Sequence, residues 1–324
     1  MRQAAAGVPV ATVWSSPDAP SPADLPVLGT RPDLAAWLRS LSNERRLALV
    51  GRVVTQALWG DVVAVQEELD GWARVVVPGQ PSSLDPRGYP GWVPAAQLAP
   101  CAPVTAAERY VVAAPTVRAG VAGERLPVRV SFGTRVYCPV LAGDGLAGGG
   151  LAGDGLAGDG LADTGPAGEV PAGDDHTWAR TRSGHRLRLP AQALAPAGEA
   201  PARGPDIVRS AMGFAGLRYL WGGTTGFGLD CSGLAWLVLR RHGIVAPRDA
   251  HDQAEAGQPV PLDALTAGDL VFFAEPPSGR IHHVGLALGD GRMVHSPRTG
   301  RPVEVTALAT EPYASELVSA RRYR

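Results

Sequence analysis

The chain of 324 residues is 45% apolar and carries a formal net charge of −1. Its length allows two or three domains, and its near-neutral charge gives no electrostatic argument for a nucleic-acid partner. All thirty basic residues are arginine, which excludes a Walker-type phosphate loop, a Schiff-base lysine and a Ser–Lys dyad.

The N-terminal segment MRQAAAGVPVATVW has one arginine and lacks the apolar stretch of a signal peptide, and no apolar run is long enough to cross a bilayer. We expect a monomeric cytoplasmic protein with no membrane partner, with secretion as the alternative. The three cysteines, Cys101, Cys138 and Cys231, do not suggest a disulfide framework. Because no Cys/His spacing is typical of zinc, we expect neither a metal nor a cofactor.

Residues 1–100 have the pattern of a small β-rich domain with a helical insert. The insert DLAAWLRSLSNERRLAL places Leu34, Trp37, Leu38 and Leu41 at helical spacing. Short Val-rich stretches interrupted by Gly, Pro and Asp follow: RVVTQAL, DVVAVQEE, GWARVVV and GWVPAAQL. They predict a small antiparallel barrel.

Residues 101–196 repeat this pattern, and the two segments end alike, with GWVPAAQLAP at 91–100 and RLRLPAQALAP at 186–196. We interpret them as an internal repeat of one small barrel. The second copy contains five LAGDG-like pentads at 141–165, within a low-complexity loop predicted over 141–173. Because calcium-binding glycine-rich repeats have a nonapeptide period, we interpret the pentads as a flexible surface loop.

Residues 197–204 have the composition of a linker, and the pattern changes after them. DIVRSAMGFAG and CSGLAWLVLRRHG are amphipathic helices, and DLVFFA and HHVGLALG are apolar strands. Helices followed by antiparallel strands predict that residues 205–324 form an α+β domain.

Cys231 is predicted to be the first residue of a helix. Asp230 before it is a suitable N-cap, and Gly243 stands where a C-cap glycine belongs. The amides and dipole at a helix N-terminus stabilise a thiolate, and an amide of this turn could donate to an oxyanion.

The base for this thiol is predicted on the strand HHVGLALG. His283 shares its face with Gly285 and Ala287, which leaves room for a helix to lie across the strand. His295 follows on the next strand after a DG turn, where a hairpin would place it beside His283 to orient the ring. A cysteine, a base and an orienting residue together predict a nucleophilic hydrolase.

Segment 205–310 resembles the NlpC/p60 cysteine peptidases. DCSG at a helix start, HVG on a strand and MVHSP on the next strand occur in the family's order, and YLWGG, PRDAHDQ and LTAGDLVFF match its intervening motifs. The resemblance implies a papain-like α+β catalytic domain with Cys231 as nucleophile, His283 as base and His295 as the residue that orients it. The family's usual substrate is the γ-D-glutamyl bond of murein peptides.

VATVWSSP, TQALWGDVV and GYPGWVP resemble the first bacterial SH3-like domain of one branch of this family. This implies two small all-β SH3-like barrels before the catalytic domain. The branch cleaves γ-D-glutamyl–diamino-acid bonds in stem peptides that begin with a free L-Ala, which implies a role in the recycling or turnover of cell-wall peptides. The implied partner is the murein peptide L-Ala-γ-D-Glu-diamino acid. The matching motifs imply that the substrate is contacted by Tyr89 from the first barrel and by Tyr219, Trp221, Asp230, Ser232 and Asp249.

Within this implied site, Asp230 should lie near the free ammonium of L-Ala, and Asp61 of LWGD could serve the same group. Ala250 departs from the family pattern, because many relatives have a serine that adds a hydroxyl near the D-Glu of the substrate. The sequence leaves open a preference for diaminopimelate or Lys. It also leaves open an endopeptidase or amidase that acts on intact peptidoglycan, and an inactive SH3-like wall-binding protein.

Overall fold

A computed structural model describes residues 2–102, 108–138, 175–197 and 203–324. The pentads at 141–165 and most of the predicted linker lie outside the described residues. The described chain forms two antiparallel sheets followed by a unit that combines helices with a third sheet.

The first sheet has the strand order β3-β2-β6-β5-β4-β1-β7. Its strands are β1 (Arg2–Ala6), β2 (Val10–Trp14), β3 (Val53–Leu58), β4 (Val62–Leu69), β5 (Trp72–Val77), β6 (Tyr89–Pro94) and β7 (Leu98–Pro100). Strand β1 was not predicted, because its Arg-Gln-Ala-Ala-Ala composition has low strand propensity.

The insert between β2 and β3 forms two helices where one was predicted, α1 (Leu34–Ser40) and α2 (Asn43–Leu47). The helix is interrupted between them because Ser42 is the N-cap of α2 and accepts a hydrogen bond from the Arg45 amide at 3.2 Å. The predicted apolar face is buried, including Trp37, which is 0% exposed.

The second sheet has the order β10-β9-β13-β12-β11-β8-β14, which is the order of the first sheet shifted by seven strands. Its strands are β8 (Glu108–Val112), β9 (Thr116–Val121), β10 (Val128–Ser131), β11 (Arg135–Cys138), β12 (His176–Arg180), β13 (Arg186–Pro190) and β14 (Leu194–Pro196). The two segments that end alike in sequence also fold alike, each with a 3₁₀ turn between its last two strands. The predicted repeat is therefore confirmed at the level of topology.

The third unit packs helices against a six-stranded antiparallel sheet of order β17-β22-β18-β19-β20-β21, which agrees with the predicted α+β class. Its helices are α3 (Gly204–Met212), α4 (Cys231–Arg241), α5 (Ala250–Glu255) and α6 (Tyr313–Glu316). A hairpin joins β15 (Thr224–Thr225) to β16 (Gly228–Leu229), and the sheet contains β17 (Gln258–Pro259), β18 (Leu270–Glu275), β19 (Arg280–Ala287), β20 (Arg292–His295), β21 (Glu304–Ala307) and β22 (Leu317–Arg322).

One hydrophobic core joins the three units. It contains Trp14 and Trp37 of the first unit, Phe132 of the second, and most of α4 with the inner face of the third sheet. Every residue of α4 from Ser232 to Arg240 is buried. The helix that begins at Cys231 is therefore fixed between the third sheet and the two N-terminal sheets. Among the described helices, none is long and apolar enough to span a membrane.

Candidate active site

The start of α4 has the predicted geometry. Asp230 is the N-cap, and its Oδ1 accepts a hydrogen bond from the Gly233 amide at 2.7 Å. Cys231 is the first helical residue. At the other end, Gly243 has a φ of +75° and closes the helix, which explains why a glycine stands there.

The surroundings of the Cys231 thiol differ from the expected thiolate site. Burial raises the pKa of Cys231 to about 12, and the neighbouring Asp230 carboxylate adds to this rise. The amides of Val284 and Ser232 act in the opposite direction but do not outweigh it. Arg248, which pairs with Asp230, also lowers the pKa of Cys231, but burial dominates and favours the neutral thiol over the thiolate.

The structure brings His283 and His295 together on adjacent strands, as the predicted hairpin requires. His283 Nε2 lies 2.8 Å from His295 Nδ1, and both rings are buried. Burial and the neighbouring His295 hold the pKa of His283 well below its usual value, and burial lowers the pKa of His295 to about 4. Both imidazoles are therefore neutral near pH 7.

The position of His283 relative to the Cys231 thiol follows from β19. Its successor Val284 donates a backbone hydrogen bond toward the Cys231 thiol, so the start of α4 lies against the strand at His283. Because Nε2 of His283 is used by His295, Nδ1 is the nitrogen left for the thiol. His282 points to the opposite face, where it contacts Glu316 at 3.2 Å.

Tyr89 of the first sheet reaches the third unit, as the resemblance implied. Its hydroxyl donates to Asp249 Oδ2 at 2.9 Å, and Tyr89 is only 6% exposed. Burial raises the pKa of Asp249, while Arg248 and the Tyr89 hydroxyl oppose this rise. Asp249 is the N-cap of α5 but caps no amide with its side chain. Its carboxylate is therefore available to a ligand beside Tyr89.

Asp230 and Ser232 are instead held by Arg248, a residue that the sequence interpretation missed. The buried Arg248 guanidinium donates to Asp230 Oδ2 at 2.6 Å, to Asp230 Oδ1 at 3.1 Å and to Ser232 Oγ at 2.9 Å. It also donates to Thr55 Oγ1 of the first sheet at 3.0 Å. A cation of the protein already neutralises Asp230, which disagrees with the expectation that Asp230 receives an ammonium.

The two predicted pocket aromatics lie in different surroundings. Tyr219 is 7% exposed, and its pKa is raised well above the usual value by burial and by the nearby Cys231. Trp221 is 37% exposed, on the loop that leads to β15. Tyr219 is thus buried within electrostatic range of the thiol, and Trp221 is partly open to solvent.

Asp61 lies outside the site, so the suggestion that it serves the ammonium is wrong. Its carboxylate forms a two-pronged ion pair with Arg240, and both side chains are nearly buried. Arg240 is nine residues after Cys231, about 13 Å farther along α4 at ~1.5 Å per residue. The ion pair instead fastens the first unit to the far end of the helix.

One group of described side chains has metal-ligand chemistry, Asp249, His251 and Asp252. Asp249 is hydrogen-bonded to Tyr89, and Asp252 Oδ2 accepts from the Ser83 amide at 2.9 Å. His251 Nε2 lies 3.3 Å from Asp252. These contacts tie α5 to the first unit, and we assign no ion to the group.

A thiol at a helix start beside a pair of histidines is the arrangement of a cysteine peptidase. The NlpC/P60 family model matches residues 216–322, which include all three of these residues. The chain is 35% identical to the gamma-D-glutamyl-L-lysine dipeptidyl-peptidase of Bacillus subtilis (strain 168), over 97% of this chain and 96% of that protein. It is 34% identical to the protein of the same name from Bacillus cereus (strain ATCC 10987 / NRS 248), over 98% of this chain and 89% of that one.

A crystal structure of an NlpC/P60 family protein from Bacillus cereus ATCC 10987 superposes with a TM-score of 0.83 at 31% identity, covering 99% of both chains. The chain therefore belongs to the NlpC/P60 family. It is a cysteine peptidase, a hydrolase that acts on cell-wall peptides.

Proposed function

We propose that the protein hydrolyses the γ-D-glutamyl–diamino-acid bond of murein stem peptides that begin with a free L-Ala. The observation that carries this proposal is the Tyr89–Asp249 contact, through which the first sheet supplies a side chain to the start of α5, next to Arg248 and its partner Asp230. The names of the Bacillus relatives support the same bond type. The role in peptide recycling, the cytoplasmic location and the monomeric state remain predictions from the sequence.

In the proposed reaction Cys231 is the nucleophile and His283 the base. The thiol transfers its proton to His283 Nδ1 as Sγ attacks the γ-carbonyl carbon, because neither group is charged at rest. The amide of Cys231 at the helix start stabilises the oxyanion. Collapse of the intermediate breaks the C–N bond, the leaving amine takes the proton from His283, and a thioester remains. Water activated by His283 then hydrolyses the thioester and releases the thiol.

The free ammonium of the substrate is proposed to bind Asp249 with Tyr89. A buried ammonium needs a close and preorganised carboxylate, since desolvation otherwise outweighs the attraction. Asp249 meets this condition, because its nearest cation, Arg248, is 3.8 Å away and is directed mainly at Asp230. Asp249 thus takes the place that the sequence interpretation gave to Asp230.

The test is the hydrolysis of L-Ala-γ-D-Glu-diaminopimelate compared with its N-acetylated form. We expect cleavage of the free peptide and a loss of at least a hundredfold with the acetylated one, because acetylation removes the charge that Asp249 binds. The Cys231→Ala variant should fold and show no turnover. Equal cleavage of both peptides would reject recognition of the free amine.

The second candidate is an endopeptidase that acts on intact peptidoglycan. In stems attached to glycan strands the L-Ala nitrogen is acylated, so the same pair of peptides distinguishes the candidates. Release of peptides from purified sacculi would favour the second candidate over the first.

A further inference from the structure

His295 makes a second contact that the proposed reaction does not use. Its Nε2 lies 3.1 Å from Thr306 Oγ1 on the neighbouring strand β21. Glu304, directly opposite His295 in the strand register, has Oε1 3.9 Å from the same nitrogen. Arg301 holds both oxygens of Glu304, at 2.7 and 2.8 Å. A polar chain therefore runs from His283 through His295 to β21.

The proton positions in this chain are linked. Both imidazoles are neutral, so each ring carries one proton, and the 2.8 Å contact between His283 Nε2 and His295 Nδ1 holds only one. If that proton were on His295, His283 would carry its own on Nδ1 and could not accept the proton of Cys231. If it is on His283 Nε2, Nδ1 is a free acceptor, and His295 must carry its proton on Nε2.

The second arrangement needs an acceptor at His295 Nε2. Thr306 Oγ1 is in hydrogen-bond range, and the carboxylate of Glu304 favours a proton over a lone pair at that nitrogen. We propose that Thr306, supported by Glu304, is a positioning residue that holds the proton of His295 on Nε2 and so keeps His283 Nδ1 free to accept the proton of Cys231. This inference rests on the proposed roles of Cys231 and His283.

The test measures kcat and KM for the free tripeptide and, separately, the rate at which iodoacetamide alkylates Cys231, followed by peptide mass spectrometry. Thr306→Val keeps the shape of the side chain and removes the hydrogen-bond acceptor. We expect kcat and the alkylation rate to fall about tenfold, because one hydrogen bond is lost, and KM to stay unchanged. Thr306→Ser should return both to within about twofold of the wild type, since it restores the hydroxyl.

Glu304→Gln should lower both rates about threefold, because a partly buried carboxylate that is also paired with Arg301 acts weakly on His295 Nε2 from 3.9 Å. The matched control is Glu316→Gln, which removes the carboxylate facing His282 and should change neither rate. If Thr306→Val unfolds, Glu304→Gln decides the question in its place, and wild-type kcat and alkylation in Glu304→Gln then overturn the inference.

Two results would overturn the inference: wild-type kcat and alkylation in Thr306→Val, or a Thr306→Ser variant as impaired as Thr306→Val, which indicates a packing role. The alkylation rate needs no substrate. If the wild type leaves the tripeptide intact while alkylation still depends on the Thr306 hydroxyl, the proposed substrate is wrong and the positioning role stands.

Discussion

The two N-terminal sheets share one strand order but meet the catalytic unit differently. Aligning GYPGWVPAAQLAP at 88–100 with GHRLRLPAQALAP at 184–196 pairs Tyr89 with His185. Tyr89 contacts Asp249 in the candidate site. His185 instead receives a hydrogen bond from Trp59 Nε1 at 3.3 Å and packs against its ring at a tilt of 56°, so it joins the two sheets to each other. A duplicated position thus supplies a functional side chain in one copy and an interface in the other.

The two N-terminal sheets also differ in the contacts that they make with the third unit around α4. The first sheet supplies Thr55 Oγ1 and the Pro81 carbonyl as hydrogen-bond acceptors to Arg248, which pairs with Asp230 at the start of α4. The second sheet supports the unit from farther away, through Ser131, which accepts from the Gly226 amide, and through the Phe132–Phe214 ring contact. Changes to the first-sheet residues that contact Asp249 and Arg248 should therefore alter substrate use, and changes in the second sheet should alter stability.

The largest effect is expected from Asp249→Asn. Removal of the proposed partner of the substrate ammonium should lower kcat/KM for the free tripeptide about a hundredfold. Steady-state kinetics with free and N-acetylated peptide check this, since the variant should lose most of its preference for the free amine. A variant that keeps the full preference would place the ammonium elsewhere.

Tyr89→Phe should have a smaller effect on the same measurement. It removes one hydrogen bond to a carboxylate and leaves the ring packed, so we expect kcat/KM to fall about tenfold. The matched control is His185→Phe at the equivalent position of the second sheet, for which kcat/KM should stay at the wild-type value. Equal losses in both variants would contradict the division between the sheets.

Asp61→Asn should act on stability alone. It leaves the buried Arg240 without its anion, and we expect the free energy of unfolding to fall by about 3 kcal/mol. Denaturant unfolding measures this loss, while kcat/KM of the folded variant at low temperature should match the wild type. A selective loss of free-amine preference would restore Asp61 to the substrate site.

The smallest effect concerns pH at the interface between the sheets. Burial lowers the pKa of His185, so the folded state binds its proton less readily than the unfolded state. Its contribution to stability is present above the unfolded pKa and is lost as the pH falls through about 6.5. The melting temperature should therefore drop less between pH 7.5 and pH 5.5 in His185→Gln than in the wild type. Both proteins keep the other buried histidines, so the difference between the two curves is due to His185. Parallel curves would assign the pH dependence to those histidines.

Much of the architecture was predicted from short-range sequence patterns. The N-cap Asp230, the left-handed Gly243 that follows the C-cap of α4, and the alternation around His283 depend on neighbours within a few residues, and all three were predicted from the sequence. The repeat was also visible, because its two ends retain nearly the same residues.

The roles of the charged residues could not be predicted in the same way. Asp230 and Asp61 are both neutralised by arginines that are distant in sequence or on another unit, Arg248 and Arg240. From the sequence alone, a carboxylate that pairs with an arginine in the fold cannot be distinguished from one that is free to bind a ligand. PRDAHDQ contained the signal for Arg248, but only the fold shows that this arginine faces Asp230 and not solvent.

The burial of α4 on all sides has a consequence for how this chain can be divided. A fragment that begins at residue 205 would lose Trp14, Trp37 and Phe132 from its core and would expose the apolar side of α4 to water. The peptidase cannot be treated as an independent module to be fused or exchanged. Variants with altered specificity therefore need to retain the first sheet, because it shares a hydrophobic core with the peptidase unit.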